Sequence, residues 1–372
     1  MTLTIPATMD EVTPQWLTQA LRAGGVIDNA TVTAAEKETI GVGVGILGDL
    51  ARVTPTYDRD EPGAPRTLVA KLPTQDPAGR GIADMLGFYE KEARIYHELA
   101  SVLNTPRNYY SARDPKAVQY VILMEDVGTL RMGDQVAGAS VEDADLLIRE
   151  IAKLHRQWWE SPELDALDWI PEVCAPQYKL AQGSAMAALE PFLQQFGERL
   201  TERQQAVARA VAPRFMAMQD ALGGGPQTLC HGDLRLDNIF FGSMDGSRPV
   251  TLIDWQIATK ARGPFDIAYF LSQSIDPKPR KANEEDWLRG YYETVVEDRH
   301  GYTWEECWHD YRAATLMCVG YPLVGGGSID LGNERGVELV GRMAVRSLTA
   351  VTDLDADELL ANYEERAPII PS

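Results

Sequence analysis

Basic charge is what this chain has least of for its size: 35 Lys and Arg stand against 55 Asp and Glu, a formal charge of −20. A surface of that sign repels phosphate backbones, and no Lys/Arg stripe with interleaved aromatics offsets the repulsion locally, so nucleic acid is excluded as the expected partner. Cysteine is scarce too. Cys174, Cys230, Cys307 and Cys318 stand far apart and form no C-x-x-C pair, which argues against a zinc site or a disulfide framework and for buried thiols in a reducing compartment. No run approaches membrane-spanning length, and MTLTIPATMDEVTPQW has neither a basic nor an apolar leader segment. The expectation is a cytoplasmic protein with no membrane partner. G-x-x-x-x-G-K-[ST], H-E-x-x-H and G-x-S-x-G are missing as well, which removes the commonest rival enzyme chemistries.

What is present is an ordinary globular composition, 45% hydrophobic and 24% charged, over 372 residues, enough for two lobes with a sizeable core. Thr13 as N-cap with Pro14 at the first helical position predicts a helix over 13–23, within a helical extension spanning 1–30. KETIG, DLARVTPTY and RTLVAKLP are β-rich runs separated by a glycine-rich loop and then a polar turn, an antiparallel meander. The period becomes helical over 83–103 and returns to strand in VQYVILM, and GTLRMGDQVAGAS reads as loop. Long helices are expected over about 141–159 and 181–222, and from about 267 onward the chain reads as helical, with a loop at GYPLVGGGS. Strands first and helices afterwards is an α+β class. It divides into an N-terminal lobe over 1–125, with an antiparallel sheet and one main helix, and a larger, mostly helical C-terminal lobe over 126–372.

The chemistry concentrates in TLCHGDLRLDNIFFGSMDGSRPVTLIDWQ. Asn238 follows Asp233 by five positions, and Asp254 ends the apolar run VTLI. Read as a hairpin centred near Gly246, Ile239 to Phe241 pairs with Thr251 to Ile253 and Asn238 faces Asp254. Two oxygen ligands so placed suit a hard cation such as magnesium, and Asp233 on the preceding loop can then take a proton from a hydroxyl beside a metal-bound phosphate. Any one of these residues alone is more simply a turn former. Their joint spacing is not what turn chemistry produces.

Here the sequence resembles the aminoglycoside phosphotransferase and choline kinase superfamily, in which a His-Gly-Asp loop with Asn five positions on precedes an Ile-Asp-Trp/Phe strand. Gln256 after Asp-Trp, followed by GPFDIAYFLSQS, resembles the ecdysteroid-kinase-like branch. The resemblance implies a bilobal, protein-kinase-like fold, Asp233 as base, Asn238 and Asp254 as magnesium ligands, a structural His231, and Asp266 bracing the catalytic loop. It also implies an interlobe hinge at Met124-Glu125-Asp126-Val127, with backbone groups of Glu125 and Val127 binding adenine.

The upstream half fits that pattern. Gly43-Val44-Gly45-Ile46-Leu47-Gly48 is a G-x-G-x-x-G lying between strands rather than before a helix, which favours a phosphate flap, with Gly43 and Gly45 at the phosphates, over a dinucleotide fold. Lys71 sits inside the apolar strand LVAKL, where an unpaired cation is costly. Met85, Phe88, Glu92, Tyr96, Leu99 and Leu103 recur at helical steps, which puts Glu92 in the apolar stripe and Glu90 outside it, so Lys71 is paired with Glu92. His155 and the tryptophans of the helical segments read as core, although Trp158, Trp159, Trp169, Trp287, Trp304 and Trp308 are also candidates for an acceptor pocket.

These readings converge on an ATP- and magnesium-dependent transfer of the γ-phosphoryl to a hydroxyl of a small molecule. The Trp-rich insertions favour an apolar or aromatic acceptor over the cations taken by aminoglycoside or choline kinases proper. A nucleotide-binding pseudokinase is the alternative from another class, but base, metal ligands and lysine are all present. His-Gly-Asp and Asp-Trp-Gln, with no Ala-Pro-Glu, argue against a protein kinase.

Overall fold

The computed structural model describes residues 3–41, 47–297, 301–328 and 334–369. The chain forms two compact units, one from residues 1–131 with 240–257, the other from 132–239 with 258–372. The first unit is therefore discontinuous, unlike the consecutive division at 125/126 expected from the sequence.

In the first unit, α1 (Pro14–Ala23) begins as expected: the Thr13 hydroxyl accepts from the Trp16 N–H at 3.2 Å, and Pro14 occupies the position where no N–H is needed. β1 (Val32–Ile40), β2 (Gly48–Tyr57) and β3 (Leu68–Pro73) form the meander. The helical run expected over 83–103 is broken into α2 (Pro77–Met85), α3 (Phe88–Arg94) and a π turn over Ile95–Leu99. Gly87 makes the break with φ of 67°, a left-handed conformation that glycine takes at little cost. Met85, expected on the apolar stripe, thus belongs to the preceding helix and is 53% exposed. β4 (Asn108–Asp114) was not foreseen, and β5 (Gln119–Glu125) is the VQYVILM strand.

All pairings of this sheet are antiparallel, in the order β1-β2-β3-β5-β4. Leu68, Ala70 and Leu72 of β3 join Val121 and Leu123 of β5 in one core with Trp16, Leu17, Ala20 and Leu21 of α1. Because a strand alternates its side chains, Lys71 is directed to the opposite face.

β6 (Arg131–Met132) joins β8 (Ile239–Phe241) and β9 (Val250–Leu252) in a small sheet ordered β6-β8-β9. In the second unit, α4 (Val141–Trp158) is capped by the Ser140 hydroxyl, and α5 (Pro162–Asp165) is a single turn. The long helix expected over 181–222 is three: α6 (Ala181–Phe196), α7 (Glu202–Val211) and α8 (Phe215–Gly223). β7 (Thr228–Cys230) pairs with β10 (Thr259–Ala261). Then come α9 (Pro264–Ser274), α10 (Pro277–Val296), α11 (Trp304–Cys318), α12 (Gly320–Ser328) and α13 (Glu334–Asp353). Every residue of α9 is buried, with α11 and α13 packed against it. α12 is the segment GYPLVGGGS, read from sequence as loop. It lies on α6, where a Cβ at Gly326 would stand 2.8 Å from Phe192, so close packing overrides the poor helix propensity of glycine.

Among the described residues, no helix is long and apolar enough to cross a membrane. All four cysteines are free, three of them buried.

Candidate active site

In the first unit, the face of β3 opposite its core carries Lys71 toward α3. The Lys71 Nζ donates to Glu92 Oε1 at 2.7 Å and to Asp254 Oδ1 at 3.1 Å, with the Glu92 side chain only 3% exposed. Burial acts to lower the lysine pKa, but the charges of Asp254 and Glu92 outweigh it and hold the ammonium well above its ordinary range, so it stays cationic. The Glu92 carboxyl is raised by burial, against the pull of Lys71. The expected pairing of Lys71 with Glu92 is present, and Asp254 joins it.

Asp254 itself lies beyond the end of its strand. β9 stops at Leu252, and the Gly242 N–H donates to the Pro249 carbonyl at 2.7 Å, a bond of a ladder in which Phe241 faces Val250. That ladder is one residue earlier than the register expected around Gly246, so Asp254 is not placed opposite Asn238 by strand pairing. It adopts φ of 64° instead, a conformation Asp tolerates better than most residues and one that persists where the surroundings over-determine it. Beside it Trp255 is fully buried, its indole N–H donating to the Leu252 carbonyl at 3.3 Å.

Gly43 and Gly45 lie outside the described residues. Gly48, the third glycine of that motif, opens β2 against the lysine: a Cβ there would stand 3.1 Å from Lys71 Cε. Glu125 ends β5 and its N–H donates to the Arg107 carbonyl at 2.9 Å, while the Val127 carbonyl accepts from the Leu130 N–H at 2.9 Å. Between them Asp126 accepts from Arg52 Nε at 2.7 Å and from the Gly128 N–H at 3.0 Å, which fixes the course of this segment.

In the second unit, β7 runs into His231-Gly232-Asp233. Gly232 has φ of 82°, and this turn lets two successive N–H groups, of His231 and Gly232, donate to the Asp266 carboxylate at 2.7 and 3.0 Å. Asp266 is also 3.3 Å from His155 Nε2, and His155 Nδ1 is 3.0 Å from the Tyr291 hydroxyl. Burial works to raise the Asp266 pKa, but His155 and the backbone donors prevail and hold it below the usual carboxylate range. His155, Cys230 and Asp266 have ligand atoms within 4.8 Å of one another. Burial pushes the Cys230 thiol well up and His155 is already engaged, so the group is a hydrogen-bonded core rather than a metal centre.

Asp233 is held on both oxygens. Oδ1 accepts from the Tyr269 hydroxyl at 2.7 Å, and Oδ2 accepts from Asn238 Nδ2 at 3.0 Å. The same Asn238 nitrogen donates to the Asp233 carbonyl at 3.0 Å, which fixes the amide orientation and directs its Oδ1 away from both of these bonds. His231 Nδ1 accepts from the Asp233 N–H at 3.3 Å, a structural role.

Sequence reasoning missed two residues here. Gln135, fully buried in the segment read as loop, accepts from the Leu236 N–H at 2.8 Å through Oε1, and its own N–H donates to Asp237 at 3.0 Å. Tyr269 had a signal: it lies three residues after Asp266 on one predicted helix, hence on the same face. Trp158, Trp159 and Trp287 are buried, and Arg289 lies 4.0 Å over the ring of Trp304.

Comparison with known proteins meets this geometry. A model of the ecdysteroid kinase-like family matches residues 43–301. The chain belongs to that family. Among curated proteins none matches the chain. Among solved structures it is similar to choline kinase from Cryptosporidium parvum Iowa II, at 10% identity over 95% of this chain and 94% of that one, with a TM-score of 0.52. A Plasmodium vivax ethanolamine kinase is similar at 12% identity, 87% and 85% coverage and a TM-score of 0.50. The GDP complex of aminoglycoside 2'-phosphotransferase-IIIa is similar at 14% identity, 90% and 99% coverage and a TM-score of 0.51. At such identities the likeness is one of fold: the family member has the mixed, kinase-like architecture, with an antiparallel N-terminal sheet and a mostly helical remainder.

Proposed function

We propose that this ecdysteroid kinase-like protein transfers the γ-phosphoryl of ATP to a hydroxyl of a small molecule. The observation that carries the reading is the hydrogen bond from Asn238 to Asp233. It orients a carboxylate for a proton and an amide oxygen for a cation in one stroke.

In this reading Asp233 accepts the proton of the acceptor hydroxyl as that oxygen forms its bond to the γ-phosphorus; the bond from phosphorus to the β–γ bridging oxygen breaks, and ADP leaves with the electron pair. Lys71, kept charged by Glu92 and Asp254, is the cation available to the phosphates. The amide oxygen of Asn238 and the carboxylate of Asp254 are hard oxygen donors that fit magnesium, which when bound supplies charge neutralisation at the phosphates. Since the Glu125 N–H and the Val127 carbonyl are engaged, adenine recognition falls to the Glu125 carbonyl and the Val127 N–H. Gly43 and Gly45 are assigned to the phosphates by their motif.

The preferred acceptor is an apolar or aromatic alcohol rather than a cation. In support, the ring of Tyr321 is set against Tyr269 with centroids 4.8 Å apart, and among the described residues the carboxylate bonded to the Tyr269 hydroxyl is that of Asp233. Four free thiols support a cytoplasmic setting.

ADP release across a panel of hydroxylated compounds, offered with ATP and with GTP, tests the reading. Activity confined to aminoglycosides would refute the acceptor preference, and nucleotide binding without any magnesium-dependent ADP formation would favour a pseudokinase. Asp233→Ala should retain ATP binding while turnover falls by about 10²–10⁴. Near-normal turnover in that variant removes Asp233 from the role of base.

A further inference from the structure

We propose that Tyr269 is the positioning residue for the base, acting through Asp233; the inference rests on the reading of Asp233 as that base. A carboxylate at the end of a side chain turns easily about its last torsion, which is broad and nearly two-fold. Two donors remove that freedom. Asn238 holds Oδ2 from within the same loop, and Tyr269 holds Oδ1 from a separate helix. Arg235 Nε stands 3.5 Å from Oδ2 as well, so the Tyr269 hydroxyl is the contact that keeps Oδ1 from swinging toward the cationic side.

The helix makes this contact firm. Asp266 and Tyr269 are one turn apart on α9, on one face, and that face grips the loop twice. Asp266 takes the backbone N–H groups of His231 and Gly232, and Tyr269 takes the side chain of the next residue. The Tyr269 ring is only 3% exposed, with Tyr321 edge-on at 4.8 Å and 76°, so its hydroxyl cannot follow Asp233 if the carboxylate turns. A buried phenol needs a partner, and Asp233 is the one it has been given. Replacing Tyr269 by Phe removes that bond and leaves the ring packing. The incoming hydroxyl then meets a carboxylate that has lost its alignment, and alignment of this kind governs the chemical step rather than nucleotide binding.

The test is a double-mutant cycle on the full chain, with magnesium-ATP in water as the only substrates and ADP as the readout. Y269F should lower kcat about ten- to hundredfold, the range for losing a hydrogen bond to a charged group, with the KM for ATP and the melting temperature unchanged. In the D233A background the same substitution should cost nothing further. A wild-type rate in Y269F, or an equal loss with and without Asp233, overturns the proposal, because a merely structural hydroxyl would act independently of the carboxylate. Wild-type turnover in D233A, or no ADP from the unaltered protein, overturns instead the reading of Asp233, and the role of Tyr269 with it. Should Y269F melt early, its KM for ATP decides: a raised KM marks general loosening and overturns the positioning role, and an unchanged KM with low kcat sustains it.

Discussion

On α3, Glu90, Lys91 and Glu92 follow one another and meet three different environments. Glu90 is partly exposed and pairs with Arg113 at 3.2 Å, and Glu92 is buried against Lys71, a distinction already legible in the helical period. Lys91 was not foreseen. It is only 2% exposed, with its ammonium 5.4 Å from the Phe88 ring, and burial brings its pKa down to about 7. The folded protein therefore binds that proton less tightly than the unfolded chain, whose lysine titrates near 10.5. The penalty on folding is full below about 7 and fades as pH rises toward 10.5. Lys91→Met, which keeps the apolar stem, should melt above the unaltered protein at pH 6, with the advantage narrowing by pH 9.5. Scanning calorimetry at both values decides, and an advantage independent of pH would show that the buried charge is not its source.

At the scale of elements, α9 organises the loop that carries His231, Gly232 and Asp233. Asp266 is fully buried and accepts two backbone N–H groups besides facing His155. Asp266→Asn turns an amide nitrogen toward donors, leaving one of them unsatisfied at about 1–3 kcal/mol. Thermal unfolding should shift down by a few degrees, and turnover should fall because Asp233 loses its anchored backbone. Unchanged stability in that variant would mean that the loop is held elsewhere. The role of this helix was partly readable, since the resemblance pointed to Asp266. What it does to Asp233 through Tyr269 was not, because the two residues are 36 positions apart. α12 was misread for a related reason: glycine predicts loop from propensity, yet close packing against α6 favours the small residue in a helix.

At the scale of the molecule, the first unit is completed by a segment that comes more than a hundred residues later. Arg248 Nη1 donates to the Leu103 carbonyl at 2.7 Å, the Leu252 N–H donates to the Asn104 carbonyl at 2.6 Å, and Asp254 accepts from Lys71 at 3.1 Å. Residues 1–125 alone would keep the five-stranded sheet but leave Lys71 without Asp254 and the loop after Leu99 without Arg248 and Leu252. That fragment should give no sharp near-ultraviolet thermal transition, whereas the full chain should. A cooperative melt of 1–125 would show the later segment to be dispensable for this unit.

The sequence by itself determined the α+β order, the α1 cap, the strands carrying Lys71 and Glu125, and the Asp233–Asn238 spacing, since each rests on periodicity or on contacts within a few residues. Tertiary structure alone decided that Asp254 would bond to Lys71 across 183 positions, that Tyr269 would hold Asp233, and that Gln135 would tie down the loop after it. Short-range pattern specifies which face of an element is apolar. Which polar groups meet depends on how those faces are covered, and that is set only when the core closes.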